Sequence, residues 1–116
     1  MKFLKDKAQI IYNILKDYYK ISIFDISEIN LKKTTPIITK CFPNITFNNN
    51  QFTALTLLLN YIGEDRFCNS IVKRAILVNR FNQAGINFAF EGRMFAEDML
   101  EGEQIAKMFG KLFNEQ

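Results

Sequence analysis

The residues best suited to chemistry in this chain are the carboxylates of its last third. Glu97 and Glu101 lie one helical turn apart in a helical pattern, so the two side chains could share a hard cation. No histidine occurs among the 116 residues, and no Asp/Gly-rich calcium loop accompanies the pair. We therefore interpret the acidic group as a solvated helix face and predict neither a metal site nor a cofactor.

The absence of histidine also excludes Ser/His/Asp and Cys/His nucleophile arrangements and His-containing zinc sites. Cys41 has only Lys40 nearby in sequence as a base, and the scattered glycines form no phosphate-binding loop. Cys41 and Cys68 lie far apart and form no CxxC pair, so a disulfide framework is not expected. We expect no catalytic activity, with both thiols buried as small hydrophobes in a reduced, cytoplasmic setting.

A basic stripe is the main candidate for binding a partner. Arg66, Lys73 and Arg80 fall seven residues apart on one predicted helix, and Leu77 and Phe81 lie along or beside them. Arginine mixed with aromatic side chains is a composition that protein interfaces favour. These five residues form the predicted partner-binding site, and a solvated outer face is the alternative.

Nucleic-acid binding is the second candidate. Residues 25–42 predict two short helices around a lysine-containing turn, which is the coarse layout of a helix-turn-helix. The second helix would begin at Pro36 and end at Pro43, which is short for an element that reads a groove. The side chains that would face bases or phosphates are Lys32, Lys33, Thr34, Thr35, Thr39 and Lys40.

The spacing of apolar residues predicts a mostly α-helical fold. An amphipathic helix is expected over residues 3–19, a central buried helix over 52–62, and a further helix over 64–84. Residues 86–91 alternate apolar and polar side chains between two glycines, which predicts a minor short strand. The expected architecture is a compact bundle of four to five main helices in a single domain, residues 1–116.

Over residues 93–114, apolar residues recur at alternating intervals of four and three positions. This spacing predicts a helical region that is either one bent helix or two helices. Within it, Gly102, Ala106 and Gly110 recur every four residues. Such a stripe of small residues lets another backbone approach closely, and it suggests a homodimer through the C-terminal helix.

Charge and composition narrow the function to a class. The net charge of +3 falls short of the dense basic patch of a nucleic-acid binder, and no signal peptide or membrane segment is expected. We predict a small non-catalytic cytoplasmic protein that acts by binding another protein, with a DNA-binding regulator as the alternative. An immunity-type inhibitor, an accessory protein or a modulator encoded by a phage or other mobile element fits this description.

Overall fold

A computed structural model describes residues 1–115 of the chain. Within that range the α-helices are Lys5–Asn13 (α1), Leu31–Cys41 (α2), Asn49–Ile62 (α3), Glu64–Cys68 (α4), Ile71–Leu77 (α5), Phe81–Phe95 (α6) and Met99–Asn114 (α7). A π-helical turn, Ile14–Tyr18, continues α1, and a 3-10 turn, Ile26–Glu28, precedes α2. The mostly α prediction is confirmed, with more helices than the four to five expected.

Helix α3 lies at the centre of the core, as predicted, and begins three residues earlier than expected. The Asn48 side chain accepts a hydrogen bond from the Gln51 N–H, and the Gln51 side chain accepts one from the Asn48 N–H. This capping box fixes the start of the helix. Gly63 ends it with φ of +87°, a conformation that strains any residue with a Cβ. Ten of the 14 residues of α3 are buried, which explains an apolar pattern that runs around the whole helix.

Helix α1 and the π turn together confirm the amphipathic helix predicted over residues 3–19. Its inward side chains are Ala8, Ile11 and Leu15, all buried. The Leu4 N–H donates to the Thr53 hydroxyl at 2.8 Å, which ties the start of α1 to α3. Among residues 1–115, no helix combines the length and apolar character that crossing a bilayer requires.

Helices α6 and α7 form a hairpin with the most extensive contact between any two helices of the fold. Gly92 and Gly102 face each other so closely that a Cβ on either glycine would overlap the carbonyl oxygen of the other. A Cβ on Gly110 would likewise overlap the carbonyl oxygen of Gly85. The stripe of small residues on α7 is therefore buried inside the chain, and a homodimer through it would require α6 to leave.

The strand predicted over 86–91 is wrong, because this segment is the middle of α6. The alternating residues do not share a face: Phe88 is fully buried, whereas Ile86 and Phe90 are 63% and 49% exposed. The glycines that flank the segment are not turn residues, because they are the points at which the backbone of α7 approaches α6. The periodicity that matters here is helical, with the small residues facing inward.

The helix predicted over 64–84 is also wrong, since it is divided into α4, α5 and the start of α6. Ser70 starts α5 by accepting a hydrogen bond from the Lys73 N–H at 3.1 Å, and Asn79 takes a positive φ of 60° just after α5 ends. Of residues 93–114, the first three end α6, and α7 runs unbroken through Gly102 from Met99 to Asn114. The Asp98 side chain caps α7 by accepting from the Glu101 N–H.

The predicted helix-turn-helix over residues 25–42 does not form. Its first helix is the single 3-10 turn, and its turn belongs to α2, which begins at Leu31. Asn30 sets this early start, because its side chain accepts a hydrogen bond from the Lys33 N–H. Pro36 consequently lies inside α2 rather than at its first position.

We predict that Gly92→Ala lowers the free energy of unfolding by about 2 kcal/mol or more, because the added methyl group meets backbone atoms of α7 that cannot rotate away. Urea unfolding followed by circular dichroism measures the change. Gln83→Ala, at an exposed position of the same helix, should stay within about 0.5 kcal/mol of the parent protein. A Gly92→Ala protein as stable as this control would contradict the close contact.

Candidate functional site

The five residues of the predicted basic stripe do not lie on one helix. Arg66 is on α4, Lys73 and Leu77 are on α5, Arg80 precedes α6, and Phe81 begins it. Arg66, Leu77 and Arg80 are exposed, whereas Lys73 is half-buried. Because the chain turns after α4 and again after α5, the seven-residue spacing no longer places these side chains on one face.

Phe81 belongs to the core rather than to a binding surface. Its ring is half-buried and lies between two other phenylalanines, with centroid distances of 6.2 Å to Phe47 and 6.1 Å to Phe113. Both partners are buried. Phe81 therefore anchors the start of α6 to the core, and little of its ring remains to contact a partner.

An open pocket of about 720 Å³ lies between α4 and α6, and we call it the α4–α6 pocket. Polar side chains from the α4 region meet apolar side chains of α6 in its wall. The residues that line it are Ile62, Gly63, Glu64, Asp65, Arg66, Asn69, Phe90, Glu91 and Met94. The wall of the pocket combines acidic, basic and apolar groups. Such a wall suits the mixed polar and apolar side chains of a protein surface better than one small anion.

Arg66 is held beside this pocket by an aromatic side chain. Its guanidinium carbon lies 5.7 Å from the centroid of the Phe95 ring, within the range of a cation–π contact. Phe95 in turn packs edge-on against Tyr61 at 5.0 Å, and Tyr61 packs against the buried Phe109 at 6.2 Å. Burial raises the pKa of Tyr61, and Glu101 adds to the effect, so the phenol is uncharged at neutral pH.

Glu91 has a structural role that the sequence did not predict. The side chain is 5% exposed, and its Oε1 accepts a hydrogen bond from the Ile71 N–H at 2.6 Å. Ile71 is the first residue of α5, so a carboxylate lies at the positive end of that helix. Within the described part of the chain, no three acidic or cysteine side chains are grouped closely enough to hold a metal ion.

The outer face of α6 carries a row of large apolar side chains spaced by four residues, namely Ile86, Phe90 and Met94. We call this the α6 apolar row. The three side chains are 63%, 49% and 56% exposed. The row was not predicted, because residues 86–91 were expected to form a strand with Ile86 and Phe90 on the same face as Phe88. The signal that could have found it is the four-residue spacing, which aligns side chains along a helix.

Six residues were predicted to contact nucleic acid, and the structure divides them. Thr34 is buried, and its hydroxyl donates to the Asn30 carbonyl, so it cannot reach a nucleic acid. Thr39 is exposed and donates to the carbonyl of the half-buried Thr35. The remaining three are exposed lysines within one side of α2: Lys32, Lys33 and Lys40.

The two cysteines meet, although nothing in their spacing indicated it. Cys41 ends α2, Cys68 ends α4, and their sulfur atoms are 2.8 Å apart. Cys41 is buried as predicted, whereas Cys68 is only half-buried. Burial raises the pKa of Cys41 to about 11, and the hydrogen bond with Cys68 contributes. Cys41 is therefore a neutral thiol at physiological pH.

Comparison with known proteins adds no relative: no protein family, curated protein or solved structure matches this chain. The candidate site is accordingly defined by its geometry alone.

We predict that replacing Glu91 destabilises the protein, and that the effect is larger when the Ile71 N–H loses its hydrogen-bond acceptor. Glu91→Gln keeps an acceptor but removes the charge and should cost about 1 kcal/mol, while Glu91→Leu leaves the Ile71 N–H without its acceptor and should cost about 2–3 kcal/mol. Urea unfolding measures both, and Glu103→Gln on α7 is the control for loss of one negative charge. Equal stability of all three variants would show that Glu91 does not cap α5.

Proposed function

We propose that this protein acts by binding another protein, with the α6 apolar row and the neighbouring Arg66 as the centre of the contact surface. The observation that carries the proposal is the exposure of Ile86, Phe90 and Met94 in one line along a rigid helix. Contiguous exposed apolar surface rimmed by polar residues is typical of a protein interaction site.

The α6 apolar row is only partly covered within the chain. The opposite face of α6 is already occupied, with Gly85 and Gly92 against α7 and Phe88 in the core. About half or more of the surface of each of these three residues stays in water. A partner that covered this surface would gain about 25 cal/mol for each Å² of apolar surface removed from water. This supports retention of the row for association rather than for stability.

The residue types also fit a protein interface. Aromatic residues, methionine and arginine are enriched in interface cores, and the proposed surface combines Phe90, Met94 and Arg66. The α4–α6 pocket beside the row offers a concavity for a side chain of the partner. Arg66 is already held over Phe95, so binding would order few additional groups.

The proposed surface replaces part of the site predicted from sequence. It retains Arg66 and substitutes Phe90 for the core residue Phe81. Mechanism would be occlusion or scaffolding by a preformed helical surface, without catalysis, in the cytoplasm. An inhibitor, an immunity-type protein or an accessory subunit, including one encoded by a phage or mobile element, acts in this way.

We expect Phe90→Glu to weaken partner binding by roughly 30-fold or more, because it places a charge at the centre of the apolar row. The partner is first captured from the source cells with tagged parent protein, and affinity is then measured by calorimetry with purified components. Gln9→Glu adds the same charge on α1, outside the proposed surface, and should bind as the parent does.

Thermal unfolding of both variants verifies that neither substitution disturbs the fold. Affinity that survives Phe90→Glu at unchanged stability would overturn the proposed surface. Failure of the parent protein to retain any partner at physiological salt would overturn the proposed function itself.

Nucleic-acid binding through α2 is the second candidate function, and the exposed lysines of that helix favour it. Lys32, Lys33 and Lys40 lie on one side of α2, and the helix contains no acidic residue to neutralise them. A basic helix of this kind contacts phosphates without reading bases. We rank it second because the groove-reading motif on which it depended is absent from residues 25–42.

If α2 binds phosphates, changing both Lys32 and Lys33 to Ala should weaken binding of a fluorescent duplex and lower the salt dependence by about two phosphate contacts. Fluorescence anisotropy across a salt series measures both quantities. Changing Lys107 and Lys111 on α7 to Ala removes the same charge elsewhere and is the matched control. No binding of the parent protein at low salt would eliminate this function.

A further inference from the structure

Cys41 and Cys68 are a pair of reactive groups that the proposed function does not use. Their sulfur atoms lie 2.8 Å apart, and a disulfide bond is about 2.05 Å long, so the atoms need to move by less than about 1 Å to bond. The two residues are separated by 27 positions in sequence and come from different helices. Their contact is therefore a product of the tertiary fold.

The packing of the neighbouring residues holds the pair in place. Phe42 follows Cys41, Phe67 precedes Cys68, and the two phenylalanine rings meet edge to face with centroids 6.1 Å apart. Phe42 is 2% exposed and Phe67 is fully buried. These rings fix the end of α2 against α4 within the core, which keeps Cys41 and Cys68 next to each other.

The two thiols differ in access. Cys68 is half-buried, whereas Cys41 is buried. Attack on a small disulfide therefore begins at Cys68, and Cys41 then acts on the product within the protein. Lys73 lies close enough to favour the thiolate form of Cys41, opposing the burial that disfavours it.

We propose that Cys41 and Cys68 form a dithiol site that reacts with a small disulfide of the glutathione class and closes to an intramolecular disulfide between α2 and α4. The Cys68 thiolate attacks one sulfur of oxidised glutathione, forms a mixed disulfide and releases one glutathione thiolate. The Cys41 thiol then gives up its proton as its sulfur attacks the Cys68 sulfur, and the second glutathione is released. Two protein thiols are oxidised, one glutathione disulfide is reduced to two thiols, and the two protons pass to the glutathiones.

The bond would tether α4, a helix of only five residues, to the longer α2. A disulfide lowers the entropy of the unfolded chain, and one that closes a loop of this length should raise the midpoint of thermal unfolding by roughly 10 °C. This inference does not depend on the proposed binding function.

The test treats the purified, reduced full chain with oxidised glutathione. Intact mass should fall by two hydrogen atoms, both free thiols should disappear, and a digest should contain a peptide that joins Cys41 to Cys68. The midpoint of thermal unfolding should rise by roughly 10 °C and return to its original value after reduction with dithiothreitol.

Two single variants separate the roles of the thiols. Cys41→Ser lacks the second thiol, so it should keep one glutathione on Cys68 and show no stabilisation. Cys68→Ser retains only the buried thiol and should remain unmodified while folded. These variants report on order of attack, and the wild-type result stands without them should either fail to fold.

The proposal is overturned if folded wild-type protein keeps both free thiols in oxidised glutathione, or keeps a glutathione on Cys68 that Cys41 does not displace. Disulfides formed only between two copies of the chain would overturn it as well.

Discussion

The structure depends on the contact between α6 and α7, where two pairs of glycines bring the backbones together. Gly92 against Gly102 and Gly85 against Gly110 leave no room for a Cβ at either level. This close approach determines which face of α6 points inward. With the glycines and Phe88 directed to α7 and the core, the larger residues Ile86, Phe90 and Met94 are left on the opposite face.

The same orientation of α6 organises its other neighbours. Glu91 is turned toward α5, where it accepts the hydrogen bond from Ile71, and Phe95 is placed under Arg66 at the edge of the α4–α6 pocket. The orientation of α6 therefore accounts for three features: the cap of α5 by Glu91, the contact of Arg66 with Phe95, and the exposed α6 apolar row. Since helices are stiff, a rotation of α6 that relieved one of these contacts would disturb the others.

Sequence patterns were sufficient where the relevant interactions are local. The central helix was predicted from its apolar residues, and it ends at Gly63, whose φ is positive. Sequence patterns failed where contacts between residues far apart in the sequence determine the structure. Gly85 and Gly92 resemble turn residues in the sequence, but in the fold they allow α7 to approach α6. The contact between Cys41 and Cys68 was beyond sequence reasoning, because it depends on Phe42 meeting Phe67 in the core.

The α6–α7 hairpin also differs from the contact between α1 and α3 in the sequence separation of the elements that it joins. Only residues 96–98 separate the two helices, whereas the start of α1 reaches α3 through a hydrogen bond between residues 49 positions apart. Closing a short loop costs less chain entropy than closing a long one. Closing the hairpin therefore costs less chain entropy than docking α1 on α3, so the surface that carries the apolar row rests on the more local contacts of the fold.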